Sequence, residues 1–369
     1  MTARVQSKRK SVTAVVMAPY LTGHGGMETV LTAVVNHYDQ DSQIKLQVYF
    51  SQGLGNKDFL RRFVNRHQVL NDPKLEQQST VKKAANVLRI MNFLRQSQAD
   101  EIICMSTRLV YLAAQVKRLW HKSYTVISWL HFSLVGGDVV STGLLKCADY
   151  HLAISRGIQQ QLIDLGIPRQ QITVIYNPIN LDVPLVPTRQ PATPVTFLYI
   201  GRIQWHQQKN LQELFNALPK LHGQWQLNVI GSGDDDETVK RFIQQAHLTG
   251  KVKLLGWQAA PWEGLTDVSC SVLTSKFEGL PMGLIESLIR GIPAVASDCP
   301  TGPADLIQPG TNGFLYPMGD SARLTTILQD FIDGQVVFER AKVRDSMTWL
   351  STAAYYTRLS AQLMAIAAR

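Results

Sequence analysis

Short apolar segments alternate with helix-like segments along this chain, in two successive series. Runs of four to eight apolar and β-branched residues, each followed by a helical pattern, indicate βαβ units and therefore parallel sheets. We predict an α/β fold. Strands are expected at Val12–Ala18, Leu46–Phe50, Glu101–Met105, Thr125–Leu130, Tyr150–Ile154 and Ile172–Tyr176, and then at Val195–Ile200, Gln226–Ile230, Val252–Leu255, Cys270–Thr274 and Ile292–Ser297.

A proline-rich stretch separates the two series. Pro184, Pro187, Pro191 and Pro194 fall within eleven residues, and proline fits neither a helix interior nor a central strand. We predict an N-terminal domain at 1–181, a linker at 182–194 and a C-terminal domain at 195–351. An apolar helix at 352–369 is expected to pack back on the first domain. Two Rossmann-like domains facing across a cleft are the expected arrangement, with ligands at the carboxyl ends of the strands.

Composition narrows the class of protein. No apolar run approaches the roughly 18 residues of a membrane span. A basic N-terminus precedes the first apolar run, but that run is short and lacks a clear cleavage site, so we interpret it as a strand and expect a cytoplasmic protein. The four cysteines lie far apart, and no pair has metal-ligand spacing. Free thiols in a reducing compartment are the expectation.

The net charge of +9 is concentrated in the first half of the chain. Residues 1–180 carry 21 Lys and Arg against 11 Asp and Glu, whereas the remainder carries 16 against 17. A basic face attracts anionic lipid or a phosphorylated acceptor, and a solvated basic surface is the alternative. We predict a peripheral membrane contact and no nucleic acid, since no nucleic-acid-binding motif accompanies the charge. The residues of this face are Lys57, Arg61, Arg62, Arg66, Lys82, Lys83, Arg89 and Arg95.

Two glutamates, Glu278 and Glu286, stand eight positions apart after the strand predicted at Cys270–Thr274. Pro281 fits the first turn of the following helix, and Gly291 fits its end. Glu278 then lies in a strand-end loop, and Glu286 lies more than a turn inside the helix. Free backbone N–H groups and a positive helix end beside a carboxylate suit a ligand that carries phosphate and hydroxyls. Taken alone, the spacing also fits two ordinary surface glutamates.

Two basic residues follow the first strand of the second series. Arg202 comes directly after Gly201, and Lys209 stands near the start of the next helix. Such a pair could grip a diphosphate, whose charge must be neutralised as it leaves. The alternative is one cation that ends a strand and another on a helix surface.

Three further motifs end predicted strands. Gly25 and Gly26 belong to a glycine loop that lets backbone N–H groups approach an anion or a sugar, although it lacks the spaced dinucleotide fingerprint. His131 and Trp257 each follow an apolar strand. The acidic run Asp234–Asp236 is interpreted as a helix start rather than a metal motif, because aspartate favours the first turn.

Taken together, these motifs resemble the family 4 retaining glycosyltransferases of the two-Rossmann type, the GT-B fold, over nearly the whole chain. Glutamate, seven residues and glutamate form that family's signature. Within it, Gly25–Val30, His131–Leu134, Thr274–Gly279 and Asp298–Pro303 look most like the bacterial lipopolysaccharide-core 1,6-galactosyltransferases. One departure concerns Lys209: many members place this lysine about five residues after the arginine, whereas here the gap is seven.

The resemblance implies a role for each motif. Arg202 and Lys209 bind the donor diphosphate, Glu278 holds the transferred sugar, and Glu286 bonds the ribose. His131 would line the donor-sugar pocket. Donor contacts are also implied for Gly25, Gly26, Trp257, Gly279, Leu280 and Pro281.

The implied reaction moves galactose or glucose from a UDP-sugar, with retention, to a cell-surface glycan or glycolipid such as lipopolysaccharide core. No cofactor and no metal are expected. A teichoic acid or exopolysaccharide α-glycosyltransferase is the alternative in the same class. A UDP-sugar epimerase and a catalytically silent UDP-binding module are alternatives in other classes.

Overall fold

The computed structural model describes residues 11–23, 26–41, 43–71, 80–135, 141–188 and 194–369. They form two compact units. Unit 1 runs to Pro178 and also includes Thr352–Arg369, and unit 2 comprises Ile179–Ser351. Each unit contains a parallel sheet of six strands with helices packed against it. The expected α/β architecture is therefore confirmed.

Unit 1 has the strand order β2-β1-β3-β4-β5-β6. Its central strands are apolar and almost entirely buried, as expected for a parallel sheet covered on both faces. The strands are β1 Val12–Ala18, β2 Ile44–Phe50, β3 Glu101–Cys104, β4 Thr125–Leu130, β5 Tyr150–Ala153 and β6 Ile172–Val174. The α-helices are α1 Gly26–His37, α2 Thr80–Gln96, α3 Thr107–Leu119 and α4 Arg156–Asp164.

Unit 2 has the order β12-β11-β10-β7-β8-β9. The chain builds outward from β7 in one direction and from β10 in the other, which is the Rossmann order with its switch point between these two strands. The strands are β7 Val195–Ile200, β8 Trp225–Ile230, β9 Val252–Gly256, β10 Val268–Leu273, β11 Ala294–Asp298 and β12 Gly313–Pro317. The α-helices are α5 Leu211–Ala217, α6 Asp236–Gln245, α7 Met282–Leu288, α8 Pro303–Leu306, α9 Ser321–Ile332 and α10 Arg340–Asp345.

One strand differs from the sequence-based expectation. No strand was predicted after Ile292–Ser297, yet Gly313–Pro317 form β12, the edge strand beside β11. A Cβ atom at Gly313 would lie 2.0 Å from the carbonyl oxygen of Ala294. The glycine therefore allows the strand to start in backbone contact with its neighbour, which a turn-like sequence pattern does not indicate.

The proline-rich stretch also differs from the predicted linker, because part of it packs as an element of unit 2. Val186 is buried, and its backbone N–H donates to the carbonyl of Arg290 at 3.0 Å. Arg344 Nη2 donates to the carbonyl of Val183 at 2.7 Å. Pro191 lies outside the described residues. The prolines prevent a strand here, but they do not prevent burial.

The last helix, α11 Thr352–Ala367, belongs to unit 1. The hydroxyl of Tyr356 donates to the carbonyl of Ala33 at 2.9 Å, and the Tyr38 and Ser360 hydroxyls are 2.9 Å apart. The Tyr356 ring also stacks on His37, with 3.3 Å between ring centroids. Polar and ring contacts therefore fix this helix to the C-terminal part of α1 and to Tyr38, and Leu363 of the same helix is fully buried.

Candidate active site

Three of the predicted donor-binding residues of unit 2, Arg202, Lys209 and Glu278, lie on the loops that follow β7 and β10. These strands are hydrogen-bonded neighbours and run parallel, so their carboxyl ends share one edge of the sheet. Arg202 lies in the loop after β7, and Glu278 lies in the loop after β10. The sheet order reverses at this edge, and the crevice beyond such a switch point is where open α/β sheets bind ligands.

Close backbone packing positions the loop after β7. A Cβ atom at Gly231 would lie 1.8 Å from the carbonyl oxygen of Gly201, and one at Gly233 would lie 2.0 Å from that of Ile203. The backbone N–H of Ile203 donates to Ser232 at 3.1 Å. Only glycine permits this approach, so the loop after β8 braces the loop that carries Arg202.

Glu278 is buried but well supplied with hydrogen-bond donors. One carboxylate oxygen, Oε1, accepts from Ser275 Oγ at 2.6 Å and from Lys209 Nζ at 2.6 Å. The other, Oε2, lies 3.4 Å from the donor Gln208 Nε2. The side chains of Lys209 and Glu278 are only 16% and 7% exposed, respectively. Paired and bonded in this way, the carboxylate can remain ionised inside the protein.

Gln208 connects Arg202 with Glu278. Arg202 Nη2 donates to Gln208 Oε1 at 2.7 Å, while Gln208 Nε2 donates to the carbonyl of Phe277 at 3.0 Å. The longer spacing between Arg202 and Lys209 therefore places the uncharged amide of Gln208 between Arg202 and the buried carboxylate of Glu278. Despite the longer gap noted in the sequence, Lys209 Nζ reaches the Glu278 carboxylate.

Backbone contacts fasten the loop after β7 to the loop after β10. Thr274 Oγ1 donates to the carbonyl of Lys209 at 3.0 Å, and the N–H of Lys276 donates to the carbonyl of Gln208 at 2.8 Å. Asn210 adopts a left-handed conformation with φ of 48°, and its side chain donates to Glu213 at 2.6 Å. These contacts fix the direction in which Lys209 leaves the backbone.

Glu286 lies on α7, and its carboxylate contacts a residue that sequence analysis did not single out. Trp262 Nε1 donates to Glu286 Oε2 at 3.0 Å. The guanidinium of Arg290 lies over the Trp262 ring, 4.5 Å from its centroid. Burial raises the pKa of Glu286, and the Trp262 N–H and the charge of Arg290 oppose that rise. No local pattern links Trp262 to Glu286, so only the tertiary structure reveals the contact.

The segment Gly279-Leu280-Pro281 is buried and tightly enclosed. A Cβ atom at Gly302 would lie 2.6 Å from Pro281 Cδ and 3.1 Å from the carbonyl oxygen of Gly279. A Cβ atom at Gly283 would lie 2.9 Å from Ile200 Cγ2. The start of α7 therefore packs directly against the end of β7. Pro281 precedes the first helical residue by one position.

Gly25 and Gly26 are the two predicted residues of the glycine-rich segment that leads into α1 in the sequence. Gly26 is the first residue of α1, and Gly25 lies outside the described residues. The buried Glu28 carboxylate accepts from the backbone N–H of Gly23 and from the Thr22 hydroxyl, both at 3.0 Å. Glu28 thus holds the turn into α1, in the manner of a capping carboxylate.

His131 follows β4 in unit 1. Its Nε2 atom is buried and makes no hydrogen bond with any residue in the described part of the chain. The ring packs against Trp129, with 4.7 Å between centroids. Burial lowers the pKa of His131 to about 3, so the imidazole is neutral near pH 7 and can exchange a hydrogen bond but carries no charge. Its role on the donor sugar stays a prediction.

Trp257 and the acidic run after β8 complete the predicted residues. Trp257 comes directly after β9 and is 60% exposed. Asp235 and Asp236 form hydrogen bonds with backbone N–H groups of Trp205 at 2.8 Å and Gly233 at 2.9 Å. Asp235 is the N-cap residue of α6 and Asp236 is its first residue, so these two residues lie at a helix start as interpreted, but the Asp235 side chain makes no capping hydrogen bond. Among the described residues, no three His, Cys, Asp or Glu side chains form a group that could hold a metal ion.

Comparison with known proteins agrees with this geometry. The family description "Glycosyltransferase Family 4" matches residues 24–183, and "Glycosyl transferases group 1" matches residues 186–347. The lipopolysaccharide 1,6-galactosyltransferase of Escherichia coli K12 is 34% identical over 92% of this chain and 94% of its own length. The Salmonella typhimurium protein of the same description is 34% identical over 86% of this chain and 89% of its own length.

Solved structures share the fold. The lipopolysaccharide outer core galactosyltransferase WaaB has a TM-score of 0.84 and 30% identity, covering 96% of this chain and 99% of its own. Anabaena Alr3699/HepE in complex with UDP has a TM-score of 0.76 and 18% identity, covering 95% of this chain and 100% of its own. Fold and comparisons define a glycosyltransferase of the GT-B type. The chain belongs to glycosyltransferase family 4, alongside the lipopolysaccharide 1,6-galactosyltransferases.

The buried ion pair gives a testable expectation for stability. Lys209→Met leaves the Glu278 charge without its cation, and we expect the free energy of unfolding to fall by about 3 kcal/mol, as for other broken buried pairs. In the double variant with Lys209→Met and Glu278→Gln, the loss of unfolding free energy should be smaller than the sum of the two single losses by about 1 kcal/mol or more. Urea unfolding followed by tryptophan fluorescence measures all four proteins.

A matched control lies in the same unit. Lys240 and Glu237 form an ion pair of nearly equal length, 2.7 Å, with side chains 54% and 78% exposed. Lys240→Met should leave the free energy of unfolding close to the wild-type value, because exposed pairs contribute little. Strictly additive losses for Lys209 and Glu278 would contradict the coupling.

Proposed function

We propose that this enzyme transfers a hexose, galactose or glucose, from a UDP-sugar to a bacterial cell-surface glycan or glycolipid, with retention of the anomeric configuration. The observation that carries the proposal is the arrangement at the switch point of unit 2. There, two cations and one buried carboxylate lie on adjacent strand-end loops. The family assignment favours transfer over epimerisation and over a silent binding module.

Arg202 and Lys209 bind the donor diphosphate in this proposal. The exposed Arg202 is held through an uncharged amide, so its guanidinium keeps N–H groups for phosphate oxygens. Lys209 contributes a second positive charge close to the carboxylate. Both charges stabilise the diphosphate more strongly as it leaves, because negative charge develops on the bridging oxygen when its bond to the sugar breaks.

Glu278 holds the transferred sugar by accepting hydrogen bonds from its hydroxyls. The bond between the anomeric carbon and the phosphate oxygen breaks, and the acceptor hydroxyl forms its bond on the same face. The acceptor's proton passes to an oxygen of the departing diphosphate. Glu278 then acts by position and charge rather than as a nucleophile. Glu286 binds the ribose hydroxyls of the nucleotide.

The relatives support a surface glycan as acceptor. Two of them, at 34% identity, are lipopolysaccharide 1,6-galactosyltransferases, which favours galactose and a lipopolysaccharide core. Matches over shorter parts of the chain include an amylovoran biosynthesis glycosyltransferase and a poly(glycerol-phosphate) alpha-glucosyltransferase. An acceptor panel of core lipopolysaccharide, exopolysaccharide and teichoic acid fragments separates these alternatives.

Replacing Arg202 tests the donor site. Arg202→Ala should lower kcat/KM for UDP-galactose or UDP-glucose by about 10²–10³, the usual cost of losing one charge-stabilising donor. Transfer to acceptor is measured by release of UDP and by mass spectrometry of the product. Arg241→Ala is the control, since Arg241 lies exposed on α6, where its Nη2 is 3.4 Å from the Thr238 hydroxyl. Undiminished transfer by Arg202→Ala would refute the assignment.

Metal independence is a separate expectation of the same proposal. Because Arg202 and Lys209 supply the positive charge that a divalent ion supplies in other sugar transferases, transfer should proceed at the same rate in excess EDTA. The measurement is the initial rate of UDP release before and after extensive chelation, with magnesium or manganese added back. Loss of transfer in EDTA that added metal restores would contradict this expectation.

We further propose that unit 1 contacts an anionic membrane surface, which would place the enzyme at the cytoplasmic face of the cell membrane. Arg61 and Arg62 end a short helical turn, and nearby Val64 is 69% exposed. On α2, Leu88 is 68% exposed and adjoins Arg89. Exposed apolar side chains beside cations fit the boundary between headgroups and acyl chains. No helix in the described ranges is long and apolar enough to cross a bilayer.

Charge reversal tests this contact. Arg61→Glu combined with Arg62→Glu should weaken binding to phosphatidylglycerol vesicles by at least about tenfold, since each basic residue near such a surface contributes about 1 kcal/mol. Co-sedimentation at constant ionic strength is the measurement. The control is Lys240→Glu combined with Arg323→Glu in unit 2, which reverses the same number of charges. Equal vesicle binding by both double variants would dispose of the membrane proposal.

A further inference from the structure

Trp262 lies in the segment between β9 and β10, and two contacts fix its ring. On one side the ring packs with an apolar cluster at the switch-point strands, which includes Leu198 and Ile230. On another, the guanidinium of Arg290 covers it at 4.5 Å. Arg290 is itself tethered, because its Nη1 donates to the backbone carbonyl of Glu286 at 2.9 Å. The indole therefore has little freedom to turn.

This fixed indole acts on one oxygen of the Glu286 carboxylate. Trp262 Nε1 donates to Oε2 at 3.0 Å. Within the described parts of the chain, Oε1 of Glu286 accepts no hydrogen bond. The indole therefore engages Oε2 of the carboxylate and leaves Oε1 available to a ligand. A carboxylate with one oxygen held has lost most of the torsional freedom that ligand binding would otherwise have to remove.

We propose that Trp262 is a positioning residue that orients Glu286 to accept hydrogen bonds from the ribose of the donor nucleotide. The inference rests on the proposed function, because it takes the ribose to be the partner of Glu286. It adds Trp262, which lies outside the family signature, and it gives the two carboxylate oxygens different partners. Trp262 itself need not contact the donor.

The experiment is a thermodynamic cycle in which one change is made in the enzyme and the other in the ligand. Trp262→Phe keeps an aromatic ring beneath Arg290 but removes the N–H donor together with part of the indole. Binding of UDP and of 2′,3′-dideoxy-UDP is measured by isothermal titration calorimetry for wild type and variant. Wild type should lose about tenfold or more in affinity when the ribose hydroxyls are removed, as expected for hydrogen bonds to a charged group. In Trp262→Phe, UDP affinity should fall about tenfold and the penalty for removing the hydroxyls should shrink to about threefold or less.

Trp225→Phe is the matched control. Trp225 Nε1 donates to the carbonyl of Leu221 at 3.4 Å, and Lys251 lies over its ring at 4.6 Å. The control therefore also loses an indole hydrogen bond beneath a cation, but at the start of β8 rather than beside Glu286. It should retain the full hydroxyl penalty. In transfer assays, Trp262→Phe should raise the KM for the donor with a smaller change in kcat.

The outcomes separate the inference from the function on which it rests. If wild type fails to bind UDP, the proposed donor class fails. If wild type binds UDP but Trp262→Phe keeps the wild-type affinity or the full hydroxyl penalty, the positioning role is overturned. Should Trp262→Phe unfold, benzothienylalanine at position 262 replaces the N–H by sulfur in a ring of the same size, and the same two criteria apply.

Discussion

The carboxylate of Glu278 imposes the constraint on which the rest of the site depends. A buried charge must be paired and hydrogen-bonded, and here the donors come from two loops. Ser275 lies on its own loop, whereas Gln208 and Lys209 lie on the loop after β7. The two strand-end loops are consequently held together by charge as well as by backbone contacts. The glycines after β8 let their loop pack closely against the backbone of the loop after β7.

Much of the framework follows from the sequence because its causes are local. Buried parallel strands are short apolar runs. The change from strand-like to helix-like hydrophobic periodicity is visible in the sequence without tertiary information. The strands Val12–Ala18, Thr125–Leu130 and Val195–Ile200 have the expected bounds. The two glutamates and the two cations were found by resemblance to a family, since their spacing alone fits surface residues equally well.

The residues that sequence analysis missed act through long-range contacts. Trp262 and Gln208 carry no pattern of their own, and their partners lie 24 and 70 positions away, respectively. The edge strand β12 was missed because its glycine and its flanking polar residues are typical of turns. The proline-rich stretch was predicted as a linker, yet Val186 is buried and its N–H donates to the carbonyl of Arg290. A segment that forms no strand can still pack its side chains.

The ion pair between Lys209 and Glu278 also bears on how the catalytic cycle ends. A ligand that draws Lys209 to its phosphates takes a donor away from the buried carboxylate. In the proposed mechanism, a complete sugar nucleotide returns hydroxyl donors to Glu278, whereas the nucleotide left after transfer offers none. The spent diphosphate would then compete with Glu278 for Lys209, and this competition would favour its departure.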